Sequence, residues 1–159
     1  MSGKKYQKLS HEEHIKARPD TYVGKLETMS EAQWVFDHES KKMVHKMITY
    51  SPGEFKIFDE VLVNAMDASE EDASVDSIKV TYSKEDGYIS VYNTGRGIFV
   101  GMHEEGIPTP QLIFGNLLTS SNYDDKVKRT TGGRNGYGAK LANVLSSKFI
   151  VEIGDPSSK

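Results

Sequence analysis

Between residues 54 and 68 the apolar positions recur at helical spacing. Phe55, Phe58, Leu62 and Ala65 form one stripe, and Ile57 and Val61 widen it. Such a helix is expected to be buried over most of its girth. Glu60, Asn64 and Asp67 stand at i, i+4 and i+7 of the same stretch. At about 100° per residue they fall within about 60° of one another, on one narrow polar face. That face is either solvated or a place where carboxylates are kept for a purpose, because acids are seldom buried without a partner. A second helical pattern covers residues 108–118, with Leu112, Ile113, Leu117 and Leu118 apolar, and a third runs over residues 141–145.

Period-two alternation predicts strands over residues 33–37 and 43–50, joined by a charged connection at 37–42. A further pair covers residues 77–83 and 88–92 around Lys84-Glu85-Asp86-Gly87, which carries the Asp-Gly hairpin signal. Ile78, Val80 and Tyr82 share one side of the first strand of that pair. Phe149, Val151 and Ile153 alternate in the same way and predict a last strand over residues 148–153. Near the start, Ser10 with Glu13 three residues on reads as a capping box, and Arg18-Pro19 closes the short helix that follows. Residues 20–24 read as a turn, 51–53 as a break and 72–76 as a polar linker. Residues 1–10 form a polar arm without a core of its own, residues 11–159 one domain, and residues 154–159 a loose tail. Residues 119–131 carry no pattern; a stretch of that length is either disordered or a lid.

Composition narrows the classes. A chain of 159 residues, 36% hydrophobic and 27% charged, is one soluble domain or part of one. A net charge of −3 provides no global basic field for nucleic acid. Without cysteine there is no disulfide framework and no thiolate metal site. No long apolar run or leader-like segment occurs, so no membrane partner and an intracellular location are expected.

The chemistry gathers at Thr131-Gly132-Gly133-Arg134-Asn135-Gly136-Tyr137-Gly138-Ala139-Lys140. A glycine loop running into a helix N-terminus offers close backbone approach, free N–H groups and a positive dipole, and Lys140 adds a charged donor. Most glycine runs are ordinary surface turns, but the glycine density and the lysine favour phosphate binding here. Two familiar loops are excluded by spacing. Ala139 separates Gly138 from Lys140, which rules out a P-loop, and Leu141 stands where a dinucleotide fingerprint needs glycine.

Glu60-x-x-x-Asn64-Ala65-x-Asp67, Asn93-x-Gly95-x-Gly97 and Gly133-x-x-Gly136-x-Gly138-x-Lys140 occur in that order. Together they resemble the nucleotide motifs of the GHKL ATPases. Arg18-Pro19-Asp20-Thr21-Tyr22-Val23-Gly24, Leu118-Thr119-Ser120-Ser121-Asn122-Tyr123-Asp124-Asp125 and the glycine loop narrow the resemblance to the N-terminal ATPase gate of eukaryotic-type DNA topoisomerase II.

That resemblance implies an α+β fold, a two-layer α/β sandwich with a mixed, mostly antiparallel sheet, helices on one face and a nucleotide lid. It implies ATP and Mg²⁺ as cofactors, DNA as a partner of the full-length enzyme, and a homodimer formed on ATP binding. Glu60 takes the place of the general base, and Asn64 that of the metal ligand. Asn93 falls where the adenine amino group is read, Gly95 and Gly97 let the backbone pass close to the base, and Asp67 is a further nucleotide-binding position. Ser120, Ser121 and Asn122 fall on ribose and phosphates. Gly133, Arg134, Asn135, Gly136, Tyr137, Gly138, Ala139 and Lys140 wrap the triphosphate, with Lys140 on the terminal phosphates. Tyr6 of the arm falls where a tyrosine reaches across to the partner's nucleotide.

Two departures stand out: Phe99 follows Gly97-Ile98 where proline is common, and Ala68 replaces an acid found in bacterial relatives, so any salt bridge from Arg96 to that position is lost. The transducer with its γ-phosphate lysine and the DNA-cleaving core lie outside these residues. The isolated segment is therefore expected to bind ATP with little or no hydrolysis. A chaperone or MutL-type clamp would share the pocket but not the 120–125 and 134–140 strings. A histidine kinase would phosphorylate a histidine rather than release phosphate. The expected location is the nucleus for a eukaryotic source, and the cytoplasm or a virion for a viral one.

Overall fold

The computed structural model describes residues 6–117, 132 and 137–155. The chain divides into two compact units, Met1–Lys56 and Ile57–Lys159.

In the first unit, α1 (His11–Ala17) opens with the expected capping box: Ser10 Oγ accepts from the Glu13 amide at 3.3 Å and Glu13 Oε2 accepts from the Ser10 amide at 2.7 Å. Hydrogen bonding from Ser10, its amide first and then its hydroxyl, holds the Glu13 carboxyl below its usual range. Ile15 is fully buried, and the helix stops at Arg18 as the proline requires. Residues 20–24 are more than a turn. Asp20–Val23 form a short helix, α2, with Asp20 in its first turn, and Gly24 at φ 86° ends it. His14 Nδ1 and Tyr22 Oη lie 2.7 Å apart and tie α1 to α2.

β1 (Met29–Asp37) and β2 (Lys42–Tyr50) pair antiparallel in the register Met29↔Tyr50 to Asp37↔Lys42. Ser40 donates its amide to Asp37 Oδ2 at 2.8 Å, and Lys41 takes φ 55°, which closes the turn. Trp34, Phe36, Met43 and Met47 share one face and are exposed, while Val35, Val44 and Ile48 on the other are half-buried. Alternation gave the two faces correctly but not which one is covered.

α3 spans Pro52–Glu71, so the break expected at 51–53 is a helix start. Ser51 Oγ accepts from the Glu54 amide at 3.2 Å, and proline suits the first turn because its missing N–H has no partner there anyway. Gly53 is needed for space: a Cβ would stand 2.6 Å from Leu26 Cδ2 and 3.0 Å from Lys25 O.

In the second unit, α3 is less enclosed than its stripe predicts. Ala65 is buried, Phe58, Val61 and Leu62 are half-buried, and Met66 is exposed. β3 (Ile78–Ser83) and β4 (Tyr88–Asn93) form the expected hairpin, Ile78↔Asn93 to Ser83↔Tyr88, with Gly87 at φ 67° in the turn. The third helical pattern is α5 (Gly138–Leu145), and the second is α4, confined to Thr109–Gly115. α4 stops because Asn116 turns extended. Asn143 Nδ2 donates to Phe114 O at 3.0 Å, and Phe149 meets Phe114 at 6.3 Å between ring centroids, which packs α4, α5 and the following segment together. Leu112, Leu141 and Ala142 are buried there.

Residues 148–153 are not a strand. They alternate as expected, but they join no ladder among the described residues, and a strand exists only through backbone bonds to a neighbour. The sheets among the described residues are two antiparallel hairpins, β1–β2 and β3–β4. No described helix is long and apolar enough to cross a membrane.

Candidate nucleotide site

The polar face of α3 is half-buried at Glu60 and Asp67 and exposed at Asn64. Two glycines lie on it. A Cβ on Gly138 would stand 2.5 Å from Glu60 Oε2, and one on Gly132 would stand 2.7 Å from Val63 Cγ1. The Gly132 amide donates to Asp67 Oδ1 at 2.8 Å. Glycine at both positions lets the main chain lie directly against the helix, so the acids of α3 reach backbone that any side chain would hold away. Asp67 thereby has a role its motif did not announce: it clasps the glycine loop at Gly132.

Gly138 is also the first residue of α5. The Glu60 carboxylate therefore faces a helix N-terminus, where unpaired N–H groups and the dipole favour negative charge. Ala139 and Lys140 are buried in the first turn of α5, and burial pushes the Lys140 ammonium below its usual pKa. Tyr137 precedes the helix without a side-chain cap.

Asn93 ends β4, and its Nδ2 donates to Thr94 O at 2.8 Å, which orients the amide with its oxygen left to accept. Gly95 and Gly97 follow at φ 114° and 73°, backbone that side-chain-bearing residues rarely adopt. A Cβ on Gly95 would stand 2.5 Å from Val75 Cγ2. Arg96 is not without an acid. The partner expected to be lost at Ala68 is replaced by Asp72, whose Oδ2 accepts from the Arg96 amide at 2.9 Å and lies 3.4 Å from its Nε. Ser74 adds bonds from its amide at 3.0 Å and its hydroxyl at 2.7 Å to Asp72 Oδ1. With these donors, the Arg96 amide first, the Asp72 carboxyl is held far below its ordinary range. Nothing in the 72–76 linker marked Asp72, because its partner lies 24 residues on.

Within this unit, then, Gly138 meets Glu60 and Gly132 meets Asp67, while Gly95 lies on the turn that follows α3, with Asn93 just before it and Gly97 against residues 153–154. Ser120, Ser121, Asn122, Gly133, Arg134, Asn135 and Gly136, and the expected lid at 119–131, lie outside the described residues. Tyr6 belongs to the first unit and is 86% exposed. Among the described residues no cluster of three or more His, Asp or Glu side chains could hold a metal by itself. Asn64 makes no side-chain hydrogen bond among them, and its amide oxygen is a hard donor of the kind Mg²⁺ accepts. One such ligand fits an ion held mainly by phosphates.

Residues 53–154 match the family of histidine kinase-, DNA gyrase B-, and HSP90-like ATPases. The chain is 56% identical over 151 residues to DNA topoisomerase 2 of Pisum sativum, covering 94% of this chain and 10% of that protein. It is 53% identical over 152 residues to DNA topoisomerase 2 of Saccharomyces cerevisiae, covering 95% of this chain and 11% of the relative. Among solved structures, the ATPase region of Saccharomyces cerevisiae topoisomerase II matches with a TM-score of 0.87 at 52% identity, covering 92% of this chain and 39% of that one. The ATPase and transducer domains of DNA topoisomerase II from Balamuthia mandrillaris match with a TM-score of 0.85 at 48% identity, covering 90% and 37%. The chain thus spans only a small part of these curated relatives and less than half of the solved chains.

Proposed function

The chain belongs to the histidine kinase-, DNA gyrase B-, and HSP90-like ATPases, and we propose that it is the ATP-binding part of a type II DNA topoisomerase. The whole protein would change DNA topology by transient double-strand breakage and strand passage, with ATP-driven dimerisation of this domain closing a gate. The observation that carries the reading is the approach of Gly138 to Glu60, which sets a carboxylate against a helix N-terminus at the mouth of a glycine loop. An anion-binding end of a helix beside a base is the minimum needed to hold a phosphate chain and cleave it with water.

Each residue then has a task. The N–H groups at the start of α5 and the buried Lys140 hold the terminal phosphates; added negative charge there offsets the cost of keeping that ammonium in the interior. Glu60 takes a proton from the water that attacks the terminal phosphorus, as the bond to the bridging oxygen breaks and ADP leaves. The Asn93 amide oxygen accepts from the adenine amino group, and Gly95 and Gly97 let the backbone lie beside the flat base. Mg²⁺, when bound, neutralises phosphate charge, and Asn64 is the residue of this chain that would hold it. Segments beyond these residues supply what turnover further requires, so the chain alone would bind ATP with little or no hydrolysis. Acting on DNA, the whole protein would work in the nucleus if its source is eukaryotic, and in the cytoplasm or a virion if it is viral.

Asn64→Ala in the full-length protein is expected to weaken binding of a non-hydrolysable ATP analogue in the presence of Mg²⁺ and to change little in its absence. Calorimetry with and without the ion reads this, and equal affinities throughout would remove Asn64 from the metal site. The arm carries a second expectation. Tyr6, exposed and aromatic, suits an interface anchor, and its phenol can donate to a partner's nucleotide. Sedimentation with the analogue should show a dimer that weakens on Tyr6→Ala or on deletion of residues 1–8. An unchanged dimer in both variants would dismiss the exchange of arms.

A further inference from the structure

We propose that Asp72 is a positioning residue for recognition of the nucleotide base, fixing the loop of Gly95, Arg96 and Gly97 and through it the aim of Asn93. The proposal rests on the reading above, in which the Asn93 amide meets the adenine.

Asp72 sits one residue past the end of α3, its amide bonded to Ala68 O at 2.9 Å, so its place is set by the helix. Both of its carboxylate oxygens are used. Oδ1 accepts the two bonds from Ser74, which pin the carboxylate to its own turn. Oδ2 accepts the main-chain N–H of Arg96. A bond between a charged acceptor and a backbone donor is among the stronger single contacts available to a loop. Gly95 lies flat on the same turn, since a Cβ there would stand 3.2 Å from Asp72 Oδ2 and closer still to Val75.

The other end of the loop is tied as well. Thr94 Oγ1 accepts the amides of Asp76 and Ser77, both at 3.0 Å, and donates to Asp76 Oδ1 at 2.7 Å. Asn93 in turn donates to Thr94 O. A continuous path of hydrogen bonds and main chain therefore joins Asp72 to Asn93, the side chain that the reading above sets on the base. The guanidinium of Arg96 is not essential to this path. Its side chain is 80% exposed, and an ion pair in water at 3.4 Å is worth little. The backbone bond does the positioning, and it survives any side chain at position 96.

The test compares ATP and ITP, whose hypoxanthine carries a carbonyl in place of the adenine amino group. Affinities of the full-length protein for the two non-hydrolysable triphosphate analogues give a preference ratio. In Asp72→Asn the amide keeps the size but presents N–H groups where a donor must be accepted. The ratio is expected to fall roughly threefold to tenfold toward one, the worth of one neutral hydrogen bond, with the ITP analogue bound nearly as before. Arg96→Ala is expected to keep the wild-type ratio. Should Asp72→Asn not fold, Ser74→Ala removes one of the bonds orienting the carboxylate and is expected to lower the ratio by a smaller factor. Equal weakening of both analogues, with the ratio intact, would reduce Asp72 to a structural role and overturn the proposal alone. A wild-type protein indifferent to the base would overturn the Asn93 assignment, and this proposal with it.

Discussion

Glu60→Gln in the full-length protein is expected to leave ATP bound and to slow its hydrolysis about 10²–10⁴-fold, the usual worth of a general base. The substitution keeps the volume of the side chain and its half-buried place on α3, so it tests proton transfer and little else. A glutamine beside the start of α5 also removes a negative charge from the place where the terminal phosphates are expected. Binding should therefore hold or tighten while turnover collapses. Calorimetry with the ATP analogue and a steady-state phosphate-release assay give the two numbers. A variant that hydrolyses ATP at the parental rate would remove Glu60 from catalysis.

Gly138→Ala is expected to reach a similar loss of turnover by a different route. The added methyl would stand 2.5 Å from Glu60 Oε2, well inside contact, and 3.6 Å from its Cδ. The clash falls on the far end of a flexible side chain, so the carboxylate swings away rather than the backbone giving. Alanine in a helix is favoured over glycine by about 1 kcal/mol, which offsets part of any strain. The protein should thus melt close to the parental temperature with its base displaced. In the double variant Glu60→Gln with Gly138→Ala, the two losses should not multiply, because both remove the same proton acceptor. Thermal melting beside phosphate release checks this. Full activity in Gly138→Ala would show that the contact has no part in catalysis, and multiplied losses would show that glycine at 138 serves the phosphates instead.

Much of the local structure was legible because its causes are local. The capping box of Ser10 and Glu13, the Asp-Gly turn before Tyr88 and the stripe on α3 each act within a few residues, and each is present. The misreadings occurred where a distant neighbour decides. Residues 148–153 alternate like a strand but join no ladder among the described residues, and the fuller aromatic face of β1–β2 is the exposed one. Pro52 and Gly53 look like a break until Ser51 caps them and Leu26 is found to occupy the space of a side chain.

The site divides in the same way. The chain by itself determined which reactive groups exist and their order: an acid, an amide and a second acid on one helical face, two glycine motifs, and a lysine in the first turn of α5. Periodicity fixes such things because it depends only on the geometry of the element that carries them. The tertiary structure alone decided that Gly138 faces Glu60, that Asp67 holds the amide of Gly132, and that Arg96 finds Asp72 although position 68 carries no acid. Those pairs are 78, 65 and 24 residues apart in sequence. No periodicity spans such separations; what joins them is the packing of two separate segments, one along the face of α3 where Gly132 and Gly138 leave no room for a Cβ and one at its end where the Arg96 amide reaches Asp72, each bringing backbone to a single carboxylate oxygen.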